Sequence, residues 1–114
     1  MIIEKTRRIF VRTGYTDMRK QITGLAAIVQ GLDPEGPFSG SYYVFLGKTW
    51  RVMKVLYWEK SGFCLWFKRL EQDSFPWPKT GAELEEITRE QIMLLLRGLD
   101  IWREHQGLNY SKIA

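Results

Sequence analysis

The stretch RVMKVLYWEKSGFCLWFKRL, residues 51–70, carries the clearest structural signal in the chain. Arg51 to Trp58 and Phe63 to Leu70 are two runs rich in β-branched and aromatic residues. Glu59-Lys60-Ser61-Gly62 lies between them, a four-residue turn with glycine where a hairpin favours it. Setting Trp58 opposite Phe63 divides the hairpin into two faces. Val52, Lys54, Leu56, Trp58, Phe63, Leu65, Phe67 and Arg69 share one; Arg51, Met53, Val55, Tyr57, Cys64, Trp66, Lys68 and Leu70 share the other. Both faces mix apolar and basic side chains, so the pattern leaves open which of them takes the helices.

Working outward, Tyr42 to Leu46 is a short aromatic and β-branched run that Gly47-Lys48-Thr49 turns into the hairpin. Phe75 to Trp77 reads as a short fourth strand of this meander, confined to an edge by Pro76. Upstream, Arg7 to Tyr15 reads as a first strand ended by Gly14. Thr16 then offers an N-cap hydroxyl, with Asp17 in the first helical turn, where the helix dipole favours negative charge. Met18, Ile22, Leu25, Ala26 and Val29 form the apolar stripe of that helix, and Gly31 stops it. Asp33 to Gly40 is a Pro/Gly-rich loop. Downstream, Glu83, Glu85, Glu86 and Glu90 read as an acidic helix start, and Thr88-Arg89-Glu90-Gln91 fits a capping box. Ile92, Leu95, Leu96 and Leu99 make the stripe of this helix, which Gly98 weakens and which extends to about His105. The order β-α-β-β-β-(β)-α predicts an α+β domain: an antiparallel meander of about four strands with two amphipathic helices on one face.

A chain of 114 residues and 13.5 kDa has room for one cored domain, spanning 1–114. Its 14% aromatic content excludes an intrinsically disordered chain. No apolar run approaches the ~18 residues of a membrane span, and Met1 to Arg8 has the wrong order for a secretory signal. The single cysteine, Cys64, excludes an internal disulfide and fits a reducing, cytoplasmic setting. The net charge of +4 is unevenly spread. Residues 1–20 set Lys5, Arg7, Arg8, Arg12, Arg19 and Lys20 against Glu4 and Asp17. Residues 47–70 set Lys48, Arg51, Lys54, Lys60, Lys68 and Arg69 against Glu59 alone. Residues 71–100 reverse the sign to −4. A basic body thus precedes an acidic segment.

The basic groups Arg12, Arg19, Lys20, Arg51, Lys54, Lys68 and Arg69 are the candidate nucleic-acid contacts. Cations bind phosphates, and flat rings beside them stack on unpaired bases. The competing reading makes the aromatics core and lets the cations snorkel from strand ends or sit on a solvated face. Arg19 and Lys20, read as lying early in a helix, are unfavourable for the dipole, a cost that hints at a partner. Catalytic signals are thin. His105 is the only histidine, Cys64 reads as a small packed residue, and no set of ligands has metal spacing. No glycine loop cradles a phosphate, so no cofactor or catalytic residue is expected. A small enzyme working through Glu or Asp is the minor alternative; it needs a carboxylate pair with displaced pKa values.

Six ordered segments carry a family resemblance: Thr16-Asp17-Met18-Arg19-Lys20 with Gly24 to Val29; Pro37-Phe38-Ser39-Gly40 with Tyr43-Val44-Phe45; Lys54 to Trp58; Gly62 to Glu71; Phe75-Pro76-Trp77-Pro78; and Thr88 to Asp100. Together, over about residues 7–100, they resemble the accessory protein TnpB of the bacterial insertion sequence 66 family, unrelated to the RNA-guided nuclease of the same name. Gln21 stands where many members have glycine, and the extension 101–114, including His105, matches no pattern of the family. The resemblance implies a non-catalytic role in DNA transposition beside a separate DDE transposase. It brings no catalytic or ligand residues.

Two functions follow as expectations. The first is binding of transposon-end DNA through the seven cations named above. The second is docking of the transposase or another accessory protein through the acidic segment 71–100 and exposed aromatics such as Trp77 or Trp102. The two are compatible. No membrane partner is expected, and exposed strand edges with surplus aromatics permit a homodimer.

Overall fold

A computed structural model of the chain describes residues 1–102. Its elements are β1 (Ile9–Arg12), α1 (Ile22–Leu32), β2 (Tyr42–Leu46), β3 (Val52–Glu59), β4 (Gly62–Arg69), β5 (Leu84–Ile87) and α2 (Arg89–Leu96). They build the expected α+β domain, and the β3–β4 hairpin has the expected register, with Trp58 opposite Phe63 and Glu59 opposite Gly62. Lys60, in the turn, takes a left-handed φ of 55°.

The sheet departs from the expected meander in two respects. It has five strands, in the order β4-β3-β2-β1-β5, and it is mixed. β1 runs parallel to β2, with Ile9 beside Tyr42 and Val11 beside Val44, so α1 is the crossover of a βαβ unit. The final strand is Leu84–Ile87, antiparallel to β1, in place of Phe75–Trp77. Pro76 and Pro78 have no N–H to give a ladder. The 75–77 segment instead plugs the core: Phe75 N donates to Trp50 O at 2.7 Å, and Trp77 Nε1 to Arg12 O at 2.9 Å. Glu85 and Glu86, expected at a helix start, stand on this edge strand, where Arg8 pairs with Glu86 at 2.8 Å.

The helices lie on opposite faces, not on one. On one face, Leu25 and Val29 of α1 pack with Tyr43, Phe45 and Leu56. On the other, Ile92 and Leu95 of α2, with Phe75 and Trp77, cover Ile9, Val11, Tyr42, Val44, Met53, Val55 and Ile87. The cause is visible in β2. Its five residues are consecutive apolar side chains, all buried, as a strand covered on both sides requires. The two hairpin faces are thereby assigned: the Lys54–Leu56 face to α1, and the Met53–Val55 face to α2.

α1 begins later than expected. Its N-cap is Gln21, whose side chain makes no capping bond, and the helix passes through Gly31 to Leu32. Residues 17–20 form a separate turn. Asp17 Oδ1 accepts from Arg19 N at 2.9 Å and Asp17 O from Lys20 N at 3.1 Å. Thr16, read as the cap, is buried and extends the sheet, its N–H donating to Leu46 O at 2.7 Å. α2 has the expected capping box, with Gln91 N on Thr88 Oγ1 at 3.0 Å and Thr88 N on Gln91 Oε1 at 2.8 Å. It ends at Leu96, well short of His105, which lies outside the described residues.

Candidate nucleic-acid interface

At the end of the sheet where β2 turns into β3, an open cleft of about 760 Å³ lies between the 15–19 segment and the 47–49 turn. Tyr15, Arg19, Lys48 and Thr49 are exposed around it, with Met18 and Val52 as its apolar wall. A Cβ at Gly47 would stand 2.5 Å from Met18 Cγ, so any side chain there would displace Met18 from the cleft wall. Tyr15 is braced edge-on against Trp50, ring centroids 6.4 Å apart, and Lys79 Nζ lies 5.7 Å over the other ring of that pair.

Lys54 fixes the cleft's architecture. It is only 4% exposed, and its Nζ donates to Met18 O at 2.9 Å and Lys20 O at 2.8 Å. This ammonium ties the 17–20 turn to the hairpin and so joins the two basic blocks of the sequence. Burial pushes its pKa down. Arg19 and Lys20 are exposed on the turn that Lys54 holds. Arg19 pairs with Asp17 at 2.7 Å, which raises its pKa and holds the Asp17 carboxyl well below the usual carboxylate range.

The remaining sequence candidates divide. Arg69 stands directly across from Val52, on the α1 face near the cleft, and pairs with Glu71 at 3.0 Å. Arg51 is exposed nearby, its Nη1 donating to Glu71 O at 3.1 Å. Arg12 is half-buried behind the cleft rim: Nη1 donates to Tyr15 O at 3.1 Å and Thr16 Oγ1 at 3.0 Å, while its Nε has no partner among the described residues. Lys68 lies on the opposite face and reaches Leu96 O at 3.4 Å. The structure therefore gathers Arg19, Lys20 and Arg69 with buried Lys54 and supporting Arg12 on one side, and separates Lys68 from them.

Lys48 lies in the same basic block but is not among the seven candidate contacts of the sequence; its place in a turn opposite residues 15–19 appears only once the βαβ crossover is known. Arg7 and Arg8 belong to the far end of the sheet. Arg7 donates to Gly40 O at 2.9 Å and Trp58 O at 2.8 Å, clamping the amino-terminal segment to the hairpin.

The acidic side also differs from expectation. Trp77 is 5% exposed, and Trp102 is half-buried with its Nε1 on Pro76 O at 2.7 Å, so neither is an exposed aromatic. Met93, Leu94 and Leu99 are the exposed apolar residues around α2. Glu86, like Asp17, has its pKa lowered by an arginine, here Arg8. Among the described residues no three His, Cys, Asp or Glu side chains are grouped to hold a metal ion, and no helix is long and apolar enough to cross a membrane.

The fold and the cleft define a small α+β domain with an open, cation-bearing surface at one end of a sheet covered on both faces. The chain belongs to the family of IS66 Orf2-like proteins, whose model matches residues 7–106. That places it among the accessory proteins of insertion-sequence transposition, which are not a known class of enzyme. It is similar to two proteins of Sinorhizobium fredii described as uncharacterized. With y4hO it shares 36% identity over 99 residues, covering 87% of this chain and 85% of the relative. With y4jC it shares 33% over 93 residues, covering 82% and 80%. No solved structure matches.

Proposed function

We infer that this accessory protein binds element DNA in the cytoplasm through the α1 face, with Arg19, Lys20, Lys48 and Arg69 on phosphates and Tyr15 beside them. Arg51 contributes from the adjoining edge. Arg12 and Lys54 hold this surface in place. The observation that carries the reading is the Lys54 ammonium bonded to Met18 O and Lys20 O, which brings the two basic blocks to one site. The family supports it through its role in DNA transposition.

The test is an anisotropy titration with element-end DNA at several salt concentrations. Affinity should fall steeply with salt, and Arg19→Ala or Lys48→Ala should each flatten the log–log slope by about 0.9. Lys5→Ala, at the other end of the sheet, should leave the slope as it is. Absence of binding above background at low salt would overturn the reading.

A second reading, docking of the DDE transposase, draws on Met93, Leu94 and Leu99, exposed around α2 beside acidic residues. Co-purification with the transposase after nuclease treatment tests it. Loss of the complex on nuclease treatment would mean that DNA alone links the two proteins.

A further inference from the structure

The sheet has two edges, and they are built differently. β5 is four residues long and carries Glu85 and Glu86, so it is short and acidic, as edges that avoid pairing are. β4 has eight residues, GFCLWFKR, without proline and without a bulge: its register with β3 is unbroken from Glu59–Gly62 to Val52–Arg69. It is terminal in the sheet among the described residues. Leu70 N donates to Arg51 O at 2.8 Å, which sets the phase of the ladder. Gly62, Cys64, Trp66 and Lys68 turn their backbone groups to β3, whereas Phe63, Leu65, Phe67 and Arg69 turn theirs outward. Phe67, at the middle of the outward set, is 54% exposed.

We propose that β4 pairs antiparallel with β4 of a second copy about a two-fold axis at Leu65. This register sets Leu65 against its own counterpart and Phe63 against Phe67 of the second copy, a continuous apolar strip on the α1 face. All three residues present outward backbone groups, giving about six interchain hydrogen bonds. Charge fits as well. Lys68 falls opposite Gly62 of the second copy, and Glu59 follows on the next strand of the same face. A Cβ at Gly62 would meet nothing within 4 Å. Two strand spacings are about 10 Å, a gap that extended lysine and glutamate side chains close across a residue without a side chain. The bond Lys68 makes within its own chain, to Leu96 O, is long at 3.4 Å. Arg69 falls opposite Ser61, so no like charges oppose each other. An axis normal to the sheet keeps both α1 helices, and both clefts, on one side of a doubled sheet. The inference stands on the strand edge and does not depend on DNA binding.

Sedimentation equilibrium of the full chain over a concentration series tests it. The expected limit is twice the 13.5 kDa chain mass. Phe67→Pro removes one outward N–H and leaves the ladder to β3 untouched; it should give a monomer with unchanged circular dichroism. Lys68→Glu should weaken the dimer about tenfold or more, and Glu59→Lys added to Lys68→Glu should restore it. Should Phe67→Pro fail to fold, the charge swap still decides. A wild-type chain that stays monomeric, a folded Phe67→Pro dimer, or a double swap without rescue would each overturn the proposal.

Discussion

Two buried polar side chains, Tyr43 and Lys54, show how single residues set properties of the whole. The Tyr43 hydroxyl donates to Asp33 Oδ2 and lies 2.7 Å from Ser39 Oγ. Burial, reinforced by the Asp33 carboxylate, pushes its pKa up to about 12. The folded value exceeds the ordinary one near 10, so the associated stability is complete below about pH 10 and is lost as the pH rises through the folded value. Alkaline unfolding should therefore steepen over that interval, and Tyr43→Phe should flatten it; tyrosinate absorbance and denaturant midpoints across the range check this. Lys54 makes a different prediction. Lys54→Met strips Met18 O and Lys20 O of a buried donor, at about 1–3 kcal/mol. It should weaken DNA binding while leaving the salt slope unchanged, because the ammonium faces carbonyls and not phosphate. A slope reduced as much as that of Arg19→Ala would show Lys54 in direct contact. Pattern alone could place Lys54 on the α1 face but could not tell a phosphate ligand from an internal clamp, since its partners are backbone atoms 34 and 36 residues away.

The ends of α2 show what local sequence specifies at the level of an element. Thr88 and Gln91 satisfy each other's backbone N–H, and the capping box was legible because it is complete within four residues. Thr88→Ala should cost about 1 kcal/mol. At the other end, Gly98 has φ 86°; its N–H donates to Leu95 O at 2.8 Å, and Leu99 N to Leu94 O at 3.1 Å. This pair of bonds is a Schellman motif with glycine at the left-handed position. A Cβ at Gly98 would meet nothing within 4 Å, so the cost of Gly98→Ala is conformational, about 1–2 kcal/mol. Thermal denaturation of both variants checks these values. α1 was less legible. Thr16-Asp17 has the composition of a helix cap, but Thr16 is drawn into the sheet by Leu46 O, and Asp17 closes a turn on Arg19 instead. A tertiary bond thus overrode a local preference. The short strand 84–87 was hidden for a similar reason: its glutamates read as a helix start until β1 supplies the ladder.

Across the whole molecule, the hairpin, its register and the α+β class were readable because they rest on neighbours in sequence. The covering of both sheet faces was readable in principle from the unbroken run Tyr42 to Leu46. The parallel pairing of β1 with β2 was not, since nothing in either strand announces the direction of its partner. The cleft depends on that pairing, which is why Lys48 emerged only with the fold. A packing test follows. Leu25→Ala, at the fully buried centre of the α1 interface, should cost about 2–5 kcal/mol. In urea titrations it should lower the midpoint without changing the slope, provided the two cores unfold together; a broadened or biphasic transition would show that each face melts separately.

The position of β1 bears on how the chain is made. β1 lies inside the sheet, between β2 and β5, although it is translated before both of them. Its partner on one side, residues 42–44, precedes its partner on the other, residues 84–87, which with α2 comes after every other described element. Throughout that interval Ile9, Val11, Tyr42 and Val44 wait for Ile92 and Leu95 of α2, which cover them, and for Ile87, which pairs beside Ile9. The nascent chain on the ribosome therefore carries an open apolar face until α2 has been made, the kind of surface that chaperones recognise.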